Sequence, residues 1–263
     1  MTLTTTLTAA LAPIQPTWAA PATVVALVTT RRGGVSKSPF DSFNLALHVK
    51  DNATDVDSNR ALLQRLLGES IHLQWLEQVH GTQIVHAERG AGECRGDAVF
   101  IDTPGVAGVV LTADCLPVFF AARDGHSVAV AHAGWRGLAD GILERTLAGF
   151  SVPASEVIAW LGPAIGPCHF EVGAEVREIF LNSTEDEQLR ARIDAEGFRP
   201  ATDVGKYLAD LYALARLKLL AAGVSSVSGG EWCTYCDVSR FYSYRRDGVT
   251  GRMASVIGLR PIS

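Results

Sequence analysis

Apolar runs broken by glycine, proline and polar turns set the pattern of this chain, and most are too short for a helix. The β-branched stretch Thr23 to Thr30 predicts a strand that delivers Arg31-Arg32-Gly33-Gly34 to a turn. Leu73 to Val85 reads as two short strands joined at His80-Gly81, and Asp97 to Asp102 as another. Val106 to Leu111 and Leu116 to Ala122 are almost unbroken apolar segments, separated by a polar break that ends in Asp114-Cys115. Asp124-Gly125 has hairpin-turn chemistry, and Ser127 to Ala131 runs as a strand to His132. Beyond Ala133-Gly134-Trp135-Arg136-Gly137, the spacing of Leu138, Ile142, Leu143 and Leu147 predicts a helix.

Elsewhere the pattern is helical or punctuated. Asp55 stands where it would cap a helix whose apolar face is Val56, Leu62, Leu63 and Leu66, and Gly68 stops it. Val157 to Leu161 predicts a buried strand running into the glycine- and proline-rich loop GPAIGPCH. Helices are predicted over Gly173 to Asn182, Glu185 to Asp194 and, as the longest, Asp203 to Ala222. Arg252 to Leu259 closes a sheet as a strand. Residues 1–16, rich in Thr, Ala and Pro, are expected to form a flexible N-terminal extension, with one structural unit over 17–263.

A chain of 263 residues that is 48% apolar can bury a full core. Its net charge of −5 argues against a nucleic-acid partner, which calls for a basic face. No apolar run reaches the roughly 20 residues of a membrane span, and the N-terminal stretch lacks the basic region of a secretory signal. A cytoplasmic protein with neither a nucleic-acid nor a membrane partner is expected. Five cysteines, Cys94, Cys115, Cys168, Cys233 and Cys236, fit reduced thiols better than a disulfide framework.

His80, Cys115 and His132 all fall at predicted strand ends, although 35 and 17 residues separate them. Converged, they make a three-ligand zinc site with its fourth position open to water or substrate. The same residues also fit an imidazole-activated cysteine nucleophile or a trigonal copper site. Copper is the weaker reading, because Met253 is the only methionine besides Met1 and seven histidines cannot furnish a mononuclear plus a trinuclear centre. Asp114 is a candidate to fix an imidazole tautomer, or else only a turn cap. Cys233-Thr-Tyr-Cys236 lacks a second matching pair and reads as a structural or pocket-edge feature rather than a zinc knuckle.

The segments TTRRGGVS, FNLALHV, LEQVHG, LTADCLPV, AHAGWRG, LGPAIGP and FYSYRRDGVTGRM, in this order, resemble the YfiH-like laccase-domain family over roughly Trp18 to Leu259. The resemblance implies an α+β fold, a single compact domain of two mixed β-sheets flanked by helices. It also implies a purine nucleoside phosphorylase with adenosine deaminase and methylthioadenosine phosphorylase activity, and His80, Cys115 and His132 as its catalytic and metal-binding set. Zinc is the expected metal, with copper as an alternative. The expected partners are a nucleoside and phosphate, and the expected assembly a monomer or small homo-oligomer. Other family members carry names of polyphenol oxidases or peptidoglycan editing factors, so copper-dependent phenol oxidation and a cysteine hydrolase acting on a cell-wall precursor stand as rivals. Arg31, Asn44 and Arg245 lie in motif segments and have side chains suited to phosphate and ribose hydroxyls, which makes them the expected substrate contacts. One departure is visible: the family loop carries two adjacent cysteines after Gly-Pro, whereas here Cys168 is followed by His169.

Overall fold

The computed structural model describes residues 3–261. Helix α1 (Leu3–Leu11) precedes β1 (Val24–Val28), α2 (Ala53–Leu67) and four short strands, β2 (His72–Gln74), β3 (Leu76–Glu77), β4 (Ile84–His86) and β5 (Cys94–Arg95). The central run is β6 (Ala98–Ile101), β7 (Val106–Thr112), β8 (Leu116–Ala122), β9 (Val128–Ala133), α3 (Trp135–Ala139), α4 (Ile142–Leu147) and β10 (Val157–Leu161). Then come β11 (Glu171–Gly173), α5 (Ala174–Leu181), α6 (Glu187–Gly197), β12 (Phe198–Pro200), β13 (Lys206–Ala209) and α7 (Leu211–Ala221). The chain ends with β14 (Ser226–Gly229), α8 (Tyr244–Asp247) and β15 (Met253–Leu259).

The fold is α+β with two principal mixed sheets. One has strand order β1-β15-β7-β2 and the other β14-β10-β8-β9-β6-β4, while β11-β13-β12 and β3-β5 form small accessory sheets. Alternation of side chains along each strand sorts the core into layers. On β8, Leu116, Val118, Phe120 and Ala122 face a core shared with α3 to α7, whereas Phe119 and Ala121 face the four-stranded sheet through Val106, Val110 and Ile257. The outer face of the four-stranded sheet, with Leu27, Val109, Leu111 and Val256, packs on Leu11 of α1 and Leu63 of α2. A strand buried on both faces has no polar side to show, which is why β7 and β8 are continuous apolar runs.

Two expectations are corrected here. The extension expected over residues 1–16 is helical from Leu3, Leu11 is buried at 1% exposure, and Ile14 bridges to Val28, so its described part is docked. Met1 and Thr2 lie outside the described residues. The helix expected over Asp203 to Ala222 is split: Lys206–Ala209 pairs between β11 and β12 as β13, and α7 starts only after Asp210. The Asp210 carboxylate accepts the N–H groups of Tyr212 and Ala213, and this cap marks the true start. The longest helix is instead α2, at 15 residues, whose cap is Asn52 rather than Asp55.

Candidate functional site

The register of the six-stranded sheet brings distant residues to one edge. In the antiparallel β8–β9 pair, Leu116 lies opposite Ala133 and Pro117 opposite His132, so Cys115, just before β8, meets the end of β9. The start of β6 lies at the same edge, since Ala98 pairs with Ala131 and the His132 N–H donates to the Asp97 carbonyl at 2.7 Å. His80 arrives on the loop between β3 and β4. The side-chain donors of His80, Cys115 and His132 all lie within 4.8 Å of one another, with Cys115 Sγ 3.9 Å from His80 Nε2. The two imidazole rings meet edge to face at 4.7 Å.

One carboxylate holds both histidines, and it is a residue for which the sequence reading assigned no site role. Asp97, fully buried, accepts His132 Nδ1–H at 2.8 Å, which leaves Nε2 for the contact with Cys115. It also accepts the backbone N–H groups of Val79, His80 and Gly81 at 3.2, 2.9 and 2.7 Å. Those bonds pin the loop while His80 adopts φ of 60°, a left-handed conformation rare for a side chain with a Cβ. The available signal was an aspartate opening a buried strand next to Gly96, where a carboxylate needs several donors.

Asp114 has a different job from fixing an imidazole. Its φ is 92°, its Oδ1 accepts the Thr234 hydroxyl at 2.6 Å, and its Oδ2 accepts the Arg245 N–H at 2.7 Å. It ties the Cys115 turn to the chain's C-terminal third. Gly134 supplies the space: a Cβ there would lie 3.1 Å from the His80 ring and 3.2 Å from Cys115 Sγ.

Electrostatics favour the thiolate form of Cys115 and the protonated form of His132. Burial pushes the Cys115 thiol up, but the charge of His132 and hydrogen bonds from His132 and His80 outweigh it and bring the thiol down to about 6. Burial pulls His132 down, and the Cys115 and Asp97 charges together carry it up to about 9. Burial opposes ionisation of Asp97, and the bonds from His132 and Gly81 nevertheless hold its carboxyl below the usual range. His80, Cys115 and His132 together are a His-Cys-His donor set that could hold a metal ion, with the Asp97–His132 pair as the kind of outer support such sites use.

The expected substrate contacts do not join this cluster. Asn44 is fully buried and committed internally: its amide donates to the Ala46 carbonyl and Asp51, and its Oδ1 accepts from Ala46 and Arg252. Arg31 reaches the Asp41 and Val238 carbonyls and the Asp41 carboxylate, and lines a different surface cleft with Ser42 and Ser239. Arg245 sends its guanidinium to the carbonyls of His169 and Glu171, while only its backbone N–H touches the Cys115 turn. Arg252, half-buried and donating to the Thr250 and Gly251 carbonyls, is within electrostatic reach of Cys115 and Asp114.

Fold and site together define a two-sheet α+β protein with an open three-donor cluster at one sheet edge. The chain belongs to the family described as multi-copper polyphenol oxidoreductase laccase, whose profile matches residues 25–260. It is 48% identical over 247 residues to a purine nucleoside phosphorylase of Pseudomonas aeruginosa, covering 94% of this chain and 98% of that protein. It is 47% identical over 249 residues to the purine nucleoside phosphorylase YfiH of Escherichia coli K12, with the same coverage. A crystal structure of a Neisseria meningitidis protein superposes with a TM-score of 0.88 at 47% identity, covering 94% of this chain and 99% of that one. YlmD from Geobacillus stearothermophilus superposes at 0.83 and 37% identity, covering 95% and 99%.

Proposed function

We propose that this chain is a purine nucleoside phosphorylase. A phosphate oxygen bonds to C1′ of the nucleoside as the N-glycosidic bond breaks, and the products are the sugar 1-phosphate (ribose 1-phosphate, or its 5-methylthio analogue from methylthioadenosine) and the neutral free base, whose departing nitrogen takes up a proton. Inosine, adenosine and methylthioadenosine are its proposed substrates, and deamination of adenosine accompanies the reaction. The observation that carries the reading is the convergence of His80, Cys115 and His132 in a chain close to half identical, over nearly its whole length, to proteins named for this activity.

Cys115 Sγ, one nitrogen of His80 and His132 Nε2 would hold a zinc ion, and the room that Gly134 leaves beside them fits this. Zinc held there supplies Lewis acidity with one coordination position open. The chain's own residues supply position. Asp97 fixes the His132 ring and the His80 loop, so neither has to be ordered when substrate arrives. Arg252, whose guanidinium also donates to the Thr250 and Gly251 carbonyls, is the proposed phosphate contact in place of Asn44 and Arg31.

Purified chain supplied with zinc, inosine or adenosine, and phosphate should release free base and ribose 1-phosphate in equal amounts. No product from zinc-loaded protein contradicts the reading. A second reading draws on one observation: Cys115, His132 and Asp97 are arranged in series like a nucleophile, base and orienting carboxylate. It makes the chain a metal-free cysteine hydrolase. Chelation separates the two, because it abolishes activity under the first and spares it under the second. The oxidase chemistry in the family's name has less support, since the described residues group into one His-Cys-His set and one set of three cysteines with a histidine, not the imidazole-rich surroundings of several coppers.

A further inference from the structure

Away from the site just described, Cys168, His169, Cys233 and Cys236 place their donor atoms within 4.8 Å of one another. Two loops deliver them: Cys168 and His169 follow β10, while Cys233 and Cys236 follow β14. Because β10 and β14 are parallel neighbours, both loops leave the same sheet edge. An isolated bridge between Ala164 and Cys233, with the Thr234 N–H donating to the Ala164 carbonyl at 3.0 Å, holds them side by side.

We propose that these four residues form a second zinc site, closed and structural, which clamps the two loops together. None of the cysteines is bridged to another. Cys168 Sγ lies 3.7 Å from Cys233 Sγ and 3.5 Å from Cys236 Sγ. Two thiolates on one tetrahedral zinc, each at about 2.3 Å, stand about 3.8 Å apart. His169 Nδ1 completes the set at 3.2 Å from Cys168 and 3.3 Å from Cys236. Its ring is fixed by stacking on Tyr235, the residue before Cys236, at 3.9 Å between centroids and 15° between planes.

Two further details fit a thiolate cage. The Gly166 N–H donates to Cys233 Sγ at 3.2 Å, the kind of outer support that holds a metal-bound sulfur in place. A Cβ on Gly166 would come within 3.3 Å of the same sulfur, so the missing side chain lets the loop close on it. Three thiolates and an imidazole select a thiophilic metal, and four protein donors leave no position for substrate. The consequence reaches the catalytic edge. Thr234, between the two loop cysteines, hydrogen-bonds Asp114, and Asp114 precedes Cys115. The clamp therefore bears on the Cys115 turn through one hydrogen bond and contributes no donor to the first cluster.

The test is zinc content and zinc X-ray absorption on the purified full-length chain, using wild type and Cys115→Ala. Cys115→Ala removes a ligand of the first cluster only, so it should keep about one zinc per chain, in a shell of three sulfurs at about 2.3 Å and one nitrogen at about 2.0 Å. Wild-type zinc should show the same sulfur-rich component, and this reading serves if Cys115→Ala does not fold. Cys236→Ala should lose that component and melt at lower temperature. Zinc-exposed Cys115→Ala protein without zinc, or a wild-type shell lacking the three-sulfur component, overturns the proposal. Neither result bears on phosphorolysis, which is read from product.

Discussion

The two side-chain clusters share ligand chemistry and differ in how the fold holds them. Cys115 and His132 sit at the ends of inner strands and His80 on a loop, three donors in all, and a completely buried carboxylate holds both histidines. Cys168, His169, Cys233 and Cys236 sit on two loops, number four, and include the exposed Cys168 and Cys236. An incomplete shell on a rigid frame leaves a place for a reactant, and its geometry is fixed before anything binds. A complete shell on loops adds stiffness that the loops otherwise lack. Donor count and source of rigidity, rather than donor identity, separate the proposed catalytic site from the proposed clamp.

Breaking the first cluster should give the largest effect. Cys115→Ala should lower kcat/KM by about a thousandfold or more, since it forfeits several kcal/mol of metal-derived stabilisation, while circular dichroism stays unchanged. Asp97→Asn should cost about 10- to 100-fold in zinc affinity and activity, because it loosens the His132 ring and the His80 loop together; zinc titration and steady-state kinetics check it. Gly134→Ala should weaken zinc binding by about tenfold, since its Cβ presses on both His80 and Cys115. The smallest effect belongs to the link between the clusters. Thr234→Val should lower stability by about 1–3 kcal/mol in denaturant unfolding, by leaving buried Asp114 short of a donor.

Titration sharpens the contrast in metal-free protein. With the Cys115 thiol at about 6 and its charge favoured by His132, the thiolate fraction rises as pH passes upward through that value. Iodoacetamide should therefore alkylate Cys115 with a rate that climbs to a plateau above pH 6. Burial and neighbouring thiols raise Cys236 to about 12, so it should stay slow over the same range. Mass mapping of the labelled peptides reads both.

Much of this arrangement was legible in the pattern of residues. The unbroken apolar runs of β7 and β8 announced strands buried on both faces, and the polar break between them placed Cys115 at a sheet edge. Where the reading went astray, long-range pairing decided the outcome. Tyr207 and Leu208 fit a helical arc, yet β11 and β12 claim them as strand. Leu7 and Leu11 lie in a stretch rich in Thr and Ala and followed by prolines, which reads as an extension, and their burial depends on a sheet face assembled from β1, β7 and β15. Asp97 and Asp114 look alike as single acids beside turns, and only tertiary partners show that the first orients an imidazole while the second ties down a turn. The same limit hid the second cluster: Cys233 and Cys236 lacked a matching pair because their partners, Cys168 and His169, are adjacent in sequence and more than sixty residues away.

The central claim is that phosphate attacks the nucleoside at the His80–Cys115–His132 edge. Phosphorus NMR of zinc-loaded chain with inosine and inorganic phosphate tests it most directly. The phosphate signal should fall in step with a growing ribose 1-phosphate signal, with no such change for Cys115→Ala. Free base released with the phosphate signal unchanged, or ribose 1-phosphate formed equally well by Cys115→Ala, would contradict it.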